Sequence, residues 1–330
     1  MKRFLAVFAA ALLATPPVSA DTTDFTSKAI GTTGSDFLTI DVDPRGIAMG
    51  SAASAIADDS NSMYWNPAGM AQIPRVSASA MHNEYFAGIR MQYLSYAQRI
   101  NETSVVGGAI RYMDAGSITN TNISGSTIGT FTPRNMVYEF GWAQNVMDLT
   151  DAERDISLGL TVKYFQSDLI AKANGYAMDL GMQAHYTDAI IPYNFSAVIQ
   201  NMGYGQKFDK IRDTLPVRGR LGASMRPRPF LQLALEGVIP VNSHPYLAIG
   251  SELELDTKAK ARIFLRGGYS LRNQFTGLDG IRGVTFGFGV KAKEISFDYA
   301  FVPFGLLGNA HRISISWALA PKSSRRFRMR

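Results

Sequence analysis

Cysteine is missing from all 330 residues of the sequence. The chain therefore forms no disulfide, offers no thiolate to a metal or a substrate, and has no cysteine to carry a lipid. Long hydrophobic runs are missing too. The apolar run at residues 4–14 has about 11 residues, whereas a helix needs about 20 to cross a bilayer. The sequence therefore predicts no transmembrane helix.

Residues 1–20 have the three parts of a secretory signal peptide. Lys2 and Arg3 form the basic end, residues 4–14 form the apolar part, and a small-residue cleavage site ends at Ala20. We expect cleavage after Ala20 and export from the cytoplasm of a diderm bacterium.

A large excess of one charge sign is also missing from the body of the chain. The formal net charge is +6, but Lys2 and Arg3 carry two of these charges. The tail at 320–330 carries five more, at Lys322, Arg325, Arg326, Arg328 and Arg330. The region between is nearly neutral and has no basic face, so we expect no nucleic-acid partner.

The sequence is rich in alternation with a period of two. At 284–290, Val284, Phe286, Phe288 and Val290 alternate with small or polar residues, as in a strand with one apolar face. The pattern predicts about fourteen strands, at 75–82, 88–100, 103–113, 134–146, 155–167, 173–187, 192–201, 215–226, 230–237, 244–256, 261–270, 283–292, 294–301 and 311–319. No long helical pattern interrupts them, which argues against a parallel α/β fold.

A soluble β-sandwich or propeller and an outer-membrane barrel both produce this alternation. The apolar face is rich in aromatic residues, as in the girdles of membrane barrels. The other face combines glycine with charge, at Glu139, Lys163, Asp179, Arg218, Arg220, Glu236, Glu252 and Asp298. Long links also alternate with short ones, as external loops alternate with periplasmic turns. We predict an all-β fold, a closed antiparallel transmembrane β-barrel over residues 75–319.

The segment at 21–74 is too poor in bulky residues around 47–57 to build a core of its own. Asn66 and Pro67 predict a helix start, and Gly69 predicts its end after one turn. One interpretation is an ordinary surface helix. We favour a small helical plug that starts on the periplasmic side and folds up into the lumen, with Trp65 buried and its indole N–H bonded to a lumenal group. The candidate plug residues are Met49, Gly50, Asp58, Asp59, Trp65, Asn66, Pro67 and Gly69.

Several motifs resemble a known family. Residues 31–38 (GTTGSDFL), 45–50 (RGIAMG), 57–59 (ADD) and 64–69 (YWNPAG) look like the N-terminal signature of the PorV/PorQ family. Residues 297–305 (FDYAFVPFG) with 311–314 (HRIS) resemble its C-terminal signature. The family belongs to the FadL-like outer-membrane barrels. Because the motifs bracket the barrel, the resemblance covers essentially all of the mature chain.

The resemblance implies a barrel of about fourteen strands with an N-terminal plug in the lumen. FadL-like members pass hydrophobic molecules through a gap in the wall, whereas PorV-like members serve the type IX secretion system and bind the C-terminal signal of its cargo. The implied partners are outer-membrane lipid, the insertion machinery, and either a hydrophobic small molecule or type IX components and cargo. Barrels commonly end on an aromatic residue that the insertion machinery reads. Here either Trp317 is the aromatic residue that is read, although it is not the last residue of the chain, or the basic tail at 320–330 is an appended periplasmic segment.

No catalytic, metal or cofactor site is predicted. The histidines lie on separate strands or strand ends without partners at ligand spacing, at His82, His185, His244 and His311. Asp58 and Asp59 lack the further oxygen ligands of a calcium loop. Gly107 and Gly108 predict a bulge or kink in the third strand. Simple curvature is one explanation, and a lateral gate beside the plug is the functional one.

These observations leave hypotheses from different classes. The first is an outer-membrane barrel, not an enzyme, that binds or passes a hydrophobic ligand or serves type IX secretion as an accessory. The second is a cargo-docking secretion partner that transports no small molecule. A purely structural barrel and an outer-membrane hydrolase are the remaining alternatives.

Overall fold

The computed structural model describes residues 26–146, 155–169, 171–187, 189–258, 261–272 and 280–319. The predicted signal peptide at 1–20, the turn predicted at 147–154 and the basic tail at 320–330 lie outside these residues. Among the helices of the described ranges, none is both long and apolar enough to cross a membrane.

Antiparallel strands form most of the described chain. They are β1 (Val76–Glu84), β2 (Arg90–Arg99), β3 (Ser104–Asp114), β4 (Ile118–Thr121), β5 (Thr127–Phe131), β6 (Arg134–Asn145), β7 (Asp155–Asp168), β8 (Lys172–Tyr186), β9 (Tyr193–Tyr204), β10 (Arg218–Arg228), β11 (Leu231–Pro240), β12 (Tyr246–Asp256), β13 (Ala261–Ser270), β14 (Val284–Ala292), β15 (Ile295–Pro303) and β16 (Asn309–Leu319). Strands β4 and β5 form a separate hairpin within the link predicted as a loop. The other fourteen close into one barrel in which β1 pairs with β16, which confirms the predicted fold class.

The alternation sorts side chains between the outside and the lumen as predicted. Phe286 and Phe288 point outward and are 55% and 42% exposed, whereas Thr285 between them is 6% exposed. The charged residues predicted for the other face are all buried, at Glu139, Lys163, Asp179, Arg218, Arg220, Glu236, Glu252 and Asp298. A soluble sheet would bury the apolar face instead. The outer surface therefore matches hydrocarbon rather than water.

The links define two different ends of the barrel. The links β2–β3, β10–β11 and β14–β15 are short and lie beside the start of β1; we call this the short-turn end. The links β3–β6, β9–β10 and β13–β14 are longer and lie at the other end, the long-loop end. In barrels of this kind the short turns face the periplasm and the long loops face outward.

The N-terminal segment runs through the lumen from one end to the other. The Asn242 amide donates to Thr33 Oγ1 over 2.6 Å, and Gly34 N donates to the carbonyl of Thr214, so this part lies at the long-loop end. At the short-turn end, Arg99 Nε donates to Ile73 O over 2.9 Å, just before β1. The predicted direction, upward from the periplasmic side, is therefore wrong for the described residues. A position before β1 in sequence fixes only where the segment ends, and its contacts with the long loops fix where it begins.

Short helices shape residues 41–73, which we call the lumenal segment. They are α1 (Pro44–Ala48), α2 (Ser62–Trp65) and a 3-10 helix (Pro67–Gln72). Asp43 caps α1, since its carboxylate accepts hydrogen bonds from Arg45 N at 3.2 Å and from Gly46 N at 3.0 Å. The apolar side chains of the segment join those of the inner wall in one core cluster.

The predicted helix start at Asn66 is confirmed, because its Oδ1 accepts from Ala68 N at 3.1 Å. The predicted end at Gly69 is wrong, since the helix continues to Gln72. Gly69 serves another purpose. A Cβ at this position would collide with the carbonyl of Ala57, so the glycine lets two parts of the lumenal segment pack backbone to backbone.

Candidate functional site

Glycines on the inner face bring the wall into direct contact with the lumenal segment. A Cβ on any of seven inward glycines would approach an atom of the segment more closely than 3.0 Å. These glycines are Gly141 of β6, Gly159 of β7, Gly181 of β8, Gly222 of β10, Gly250 of β12, Gly268 of β13 and Gly287 of β14. The segment thus contacts the wall on seven of the fourteen barrel strands, and at Gly159, Gly250 and Gly268 the contact is backbone to backbone.

Gly50 of the segment packs directly against the backbone of the wall. Its φ of 69° lies in the left-handed region, and a Cβ would meet Ile249 O at 2.6 Å and Tyr269 N at 2.7 Å. Its N–H donates to Thr285 Oγ1 at 3.0 Å, and that hydroxyl donates to the carbonyl of Ala48 at 3.0 Å. Of the predicted plug residues, Gly50 and its neighbour Met49 therefore fasten the segment to β12, β13 and β14.

Asn66 ties the segment to the wall and to itself. Its Nδ2 donates to the carbonyls of Ser54 and Met182, each at 3.0 Å, while its Oδ1 caps the following helix. Pro67 lies against Gly159 and Gly181, the inward glycines of β7 and β8. The Asn-Pro pair therefore packs against two adjacent strands.

Trp65 is buried, as predicted, but its polar contact is not the predicted one. The indole Nε1 has no hydrogen-bond partner among the described residues. The ring instead lies 5.0 Å from the Arg220 guanidinium and packs edge-on against Tyr64. A cation–π contact and packing, rather than a hydrogen bond, therefore hold this side chain.

Arginines of the wall bind the segment through its backbone and its hydroxyls. Arg218 Nη2 donates to Tyr64 Oη at 2.8 Å, and Arg220 Nη2 donates to the carbonyl of Ser51 at 2.8 Å. Tyr64 Oη in turn donates to Asp41 Oδ1 at 2.6 Å. Burial favours the protonated form of Asp41, yet Arg272 and Arg218 outweigh it and hold the pKa of that carboxyl well below its usual range.

Buried ion pairs line the inner wall. Arg111 pairs with Glu139 at 2.9 Å, Lys163 pairs with Asp179 at 2.6 Å, and Arg220 pairs with Glu236. Glu252 binds Arg266 of β13 at 2.6 Å and Arg45 of the segment at 3.1 Å. Removing one partner of such a pair would leave an uncompensated buried charge, which costs about 3–5 kcal/mol.

A cavity of about 680 Å³ lies below the segment at the short-turn end. Asp58 faces it and pairs with Arg45 at 2.7 Å, while Asp59 accepts from Asn61 N at 2.8 Å. Burial, together with the neighbouring carboxylate of Asp59, raises the pKa of Asp43 to about 7. Burial and Asp58 raise the pKa of Asp59 to about 6. Within the described ranges, no group of three or more acidic or histidine side chains could hold a metal ion.

The two candidate gate glycines face opposite sides of the wall. Strand β3 pairs in unbroken register with β2 and β6 through both positions, without the predicted bulge. Gly107 faces Met63 of the lumenal segment, whereas Gly108 belongs to an outer groove of about 620 Å³. The lateral gate at these glycines therefore remains a prediction.

Sequence reasoning missed Asp41, Asp43 and Tyr64 within the segment, and Arg111 and Arg266 on the wall. Strand parity could have found the two arginines, because each occupies an inward position of an alternating strand. Asp43 also had a local signal, because an Asp followed by Pro44 is a helix start of the same kind as Asn66 with Pro67. The contacts of Asp41 and Tyr64 depend instead on which wall residue lies opposite.

A family model described as "Type IX secretion system protein PorV" matches residues 23–225, more than half of the chain. Among solved structures, the chain is similar to the CymD monoaromatic hydrocarbon channel, with 10% identity, a TM-score of 0.53, and coverage of 86% of this chain and 98% of that one. The Ralstonia pickettii toluene transporter TbuX gives 10% identity, a TM-score of 0.51, and coverage of 84% and 98%. No curated protein matches the sequence. At this identity the structural likeness concerns the fold.

Proposed function

Because the chain belongs to the PorV family of type IX secretion proteins and folds as a FadL-like outer-membrane barrel, we propose that it is a sealed docking component of that secretion system. In this role it holds secreted cargo or other type IX components at its long-loop end. It passes no small molecule through its lumen. The family and the barrel together suggest the outer membrane as its location.

The filled lumen is the observation that carries the proposal. The lumenal segment contacts inward glycines on seven strands, and wall arginines bind its backbone. Clearing a path for a solute would require breaking these contacts together, including the buried pair between Arg45 and Glu252. The cavity at the short-turn end therefore ends against the segment rather than continuing upward.

Exposed apolar side chains on the long loops support docking. Ile123 at the tip of the β4–β5 hairpin is almost fully exposed, and Ile211 and Leu306 are 83% and 82% exposed. These residues lie in links beyond the barrel rather than on the strands that face hydrocarbon. A protein partner that covered these side chains would remove their apolar surface from water, which favours binding.

Transport of a hydrophobic ligand is the second candidate. The fold is shared with proteins described as hydrocarbon channels, and Gly108 with Ile110 lines an apolar groove on the outer wall. In this alternative the ligand would move along the wall rather than through the centre of the barrel.

Complementation of a deletion strain tests the proposal. We would compare wild-type protein with the triple variant Ile123→Asp, Ile211→Asp and Leu306→Asp, and with the control Thr119→Asp and Ser124→Asp on the same exposed hairpin. We expect the triple variant to lose most type IX cargo from the cell surface, while uptake of toluene is the same in the deletion strain and the wild type. Normal cargo display in the deletion strain, or toluene uptake that depends on this protein, would contradict the proposal.

A further inference from the structure

A row of charges of alternating sign occupies outward-facing strand positions at the long-loop end, with Asp114 buried and the other five residues partly or fully exposed. Cross-strand pairing sets Glu84 opposite Arg90, Arg90 opposite Asp114, and Asp114 opposite Arg134. The row continues from Arg134 to Asp168 and from Asp168 to Lys172. Six neighbouring strands thus contribute one charge each, and the sign changes at every step. We call this row the charged arc.

The charged arc covers only one side of the barrel. Each member is the terminal residue of its strand at the long-loop end, on β1, β2, β3, β6, β7 and β8. The corresponding terminal residues of the other strands are Tyr204, Arg218, Pro240, Tyr246, Ser270, Val284, Pro303 and Asn309. Of these only Arg218 is charged, and it is buried against the lumenal segment. The asymmetry shows that charge at this rim is not a general requirement of the barrel.

A row of tyrosines fixes the depth of the arc in the membrane. Tyr138, Tyr164 and Tyr176 pair across β6, β7 and β8 with ring centroids 6.2 and 5.2 Å apart. Each lies four residues from the charged residue of its own strand, about 13 Å along the strand. Tyrosine rows mark the boundary between hydrocarbon and headgroups, so the charged arc lies at headgroup level.

The arc keeps charge available for an external partner. Arg90 pairs with Asp114 at 3.1 Å, and Lys172 pairs with Asp168 at 3.5 Å. Arg134 stands between these two pairs and is exposed, with no ion-pair partner within 4.0 Å among the described residues. Glu84 is exposed at the other end of the arc, where its only described ion-pair contact is with His82 at 3.0 Å.

Outer-leaflet lipids with several phosphates are held together by divalent cations, which form a layer of alternating charge. We propose that the charged arc binds such a phosphorylated lipid, with its basic residues on the phosphates and its accessible carboxylates, Glu84 and Asp168, on the bridging cations. Guanidinium groups suit phosphate oxygens, and magnesium commonly joins a carboxylate to a phosphate. The arc thus takes the place that neighbouring lipid molecules would occupy around the bound lipid, on this side of the barrel.

The outer groove agrees with the same ligand. It lies on β1, β2, β3 and β6, the strands that carry the first part of the arc, and on the neighbouring β16. Leu94, Ile110 and Trp317 contribute to its walls. The groove exists because Ala78 and Gly108 have little or no side chain to fill the space between their larger neighbours. An acyl chain descending from a headgroup at Arg90 would lie in it.

Titration of the detergent-solubilised barrel with lipid A tests the proposal. Binding would be followed by the protein's heat-modified gel mobility and by native mass spectrometry, with magnesium or with a chelator, and phosphatidylcholine would serve as the lipid of neutral headgroup. The variant is Arg134→Gln with Lys172→Gln. The control is Arg228→Gln with Lys258→Gln, which removes the same charge from exposed positions at the short-turn end.

We expect wild type and control to bind lipid A in preference to phosphatidylcholine, and the arc variant to bind about tenfold more weakly. Chelation should lower the affinity of wild type toward that of the variant. Equal affinity of the variant and the control for lipid A would overturn the proposal. The proposal would also be overturned if the arc variant bound lipid A normally but lost a protein that co-purifies with wild type, since the arc would then be a protein interface.

Discussion

Replacing Trp65 by alanine removes the largest buried side chain of the lumenal segment. Its ring fills the space beside Gly46, where a Cβ would come within 2.7 Å of the ring. It also lies 5.0 Å from the Arg220 guanidinium, which is itself fixed by Glu236. We expect the variant to hold the segment in the lumen much less tightly.

The size of the effect follows from packing. Loss of a buried tryptophan costs about 3–5 kcal/mol, and no hydrogen bond is lost, because Nε1 has no partner among the described residues. The strand ladders do not pass through Trp65, so the barrel should still close. A destabilisation of this size shifts the equilibrium between seated and displaced segment by about a hundred-fold to several thousand-fold.

Single-channel recording in planar bilayers measures this displacement directly. Wild type should conduct almost nothing, whereas Trp65→Ala should show frequent openings, with heat-modified gel mobility confirming a folded barrel. Trp142→Ala, on the outer face of β6, is the matched control and should remain closed. A folded Trp65→Ala barrel that conducts no more than wild type would refute the reasoning, and the segment would then owe its position to its ion pairs and glycine contacts alone.

Three further predictions follow from the same contacts. Gly268→Val should displace the segment, because a Cβ there collides with Gly50, whereas Gly237→Val has room and should remain closed in the same recordings. Asp43 faces Asp59, Asp298 and Arg45, and burial favours its protonated form and so raises its pKa. The folded position of the segment is therefore most stable below about pH 4, and this contribution is lost as the pH rises through about 7. The segment should resist protease better at pH 5 than at pH 8. Asp43→Asn should weaken this pH dependence and leave the part that is due to Asp59, whose pKa is also raised. An unchanged profile would exclude Asp43 as its source. A cysteine at Ser124 should react with an impermeant label on intact cells and one at Lys258 should not, and the reverse result would invert the orientation.

The strands and the two faces of the barrel could be predicted from the sequence because their signal is local. Adjacent residues of a strand face opposite sides, so the exposure of Phe286 and Phe288 and the burial of Thr285 follow from parity alone. The hairpin of β4 and β5 was missed because its residues are exposed on both faces and leave no alternation to detect.

The candidate site was predictable only in part. Asn66 was recognised because a helix cap acts on its own neighbours, and its bond to Ala68 is local. Its bonds to Ser54 and Met182 depend on distant parts of the chain. The same limit explains the error at Gly69, where close packing against Ala57 rather than a helix end requires glycine.

The sequence by itself determined that this protein is a barrel with a lipid-facing outside and a charged, glycine-rich inside, since a two-residue period assigns every side chain of a strand to one face. Only the tertiary structure decided which residues meet. The direction of the lumenal segment, the glycine contacts around it and the order of charges from Glu84 to Lys172 all depend on how neighbouring strands are staggered. A stagger is set by the closure of the whole barrel, and no single strand carries that information.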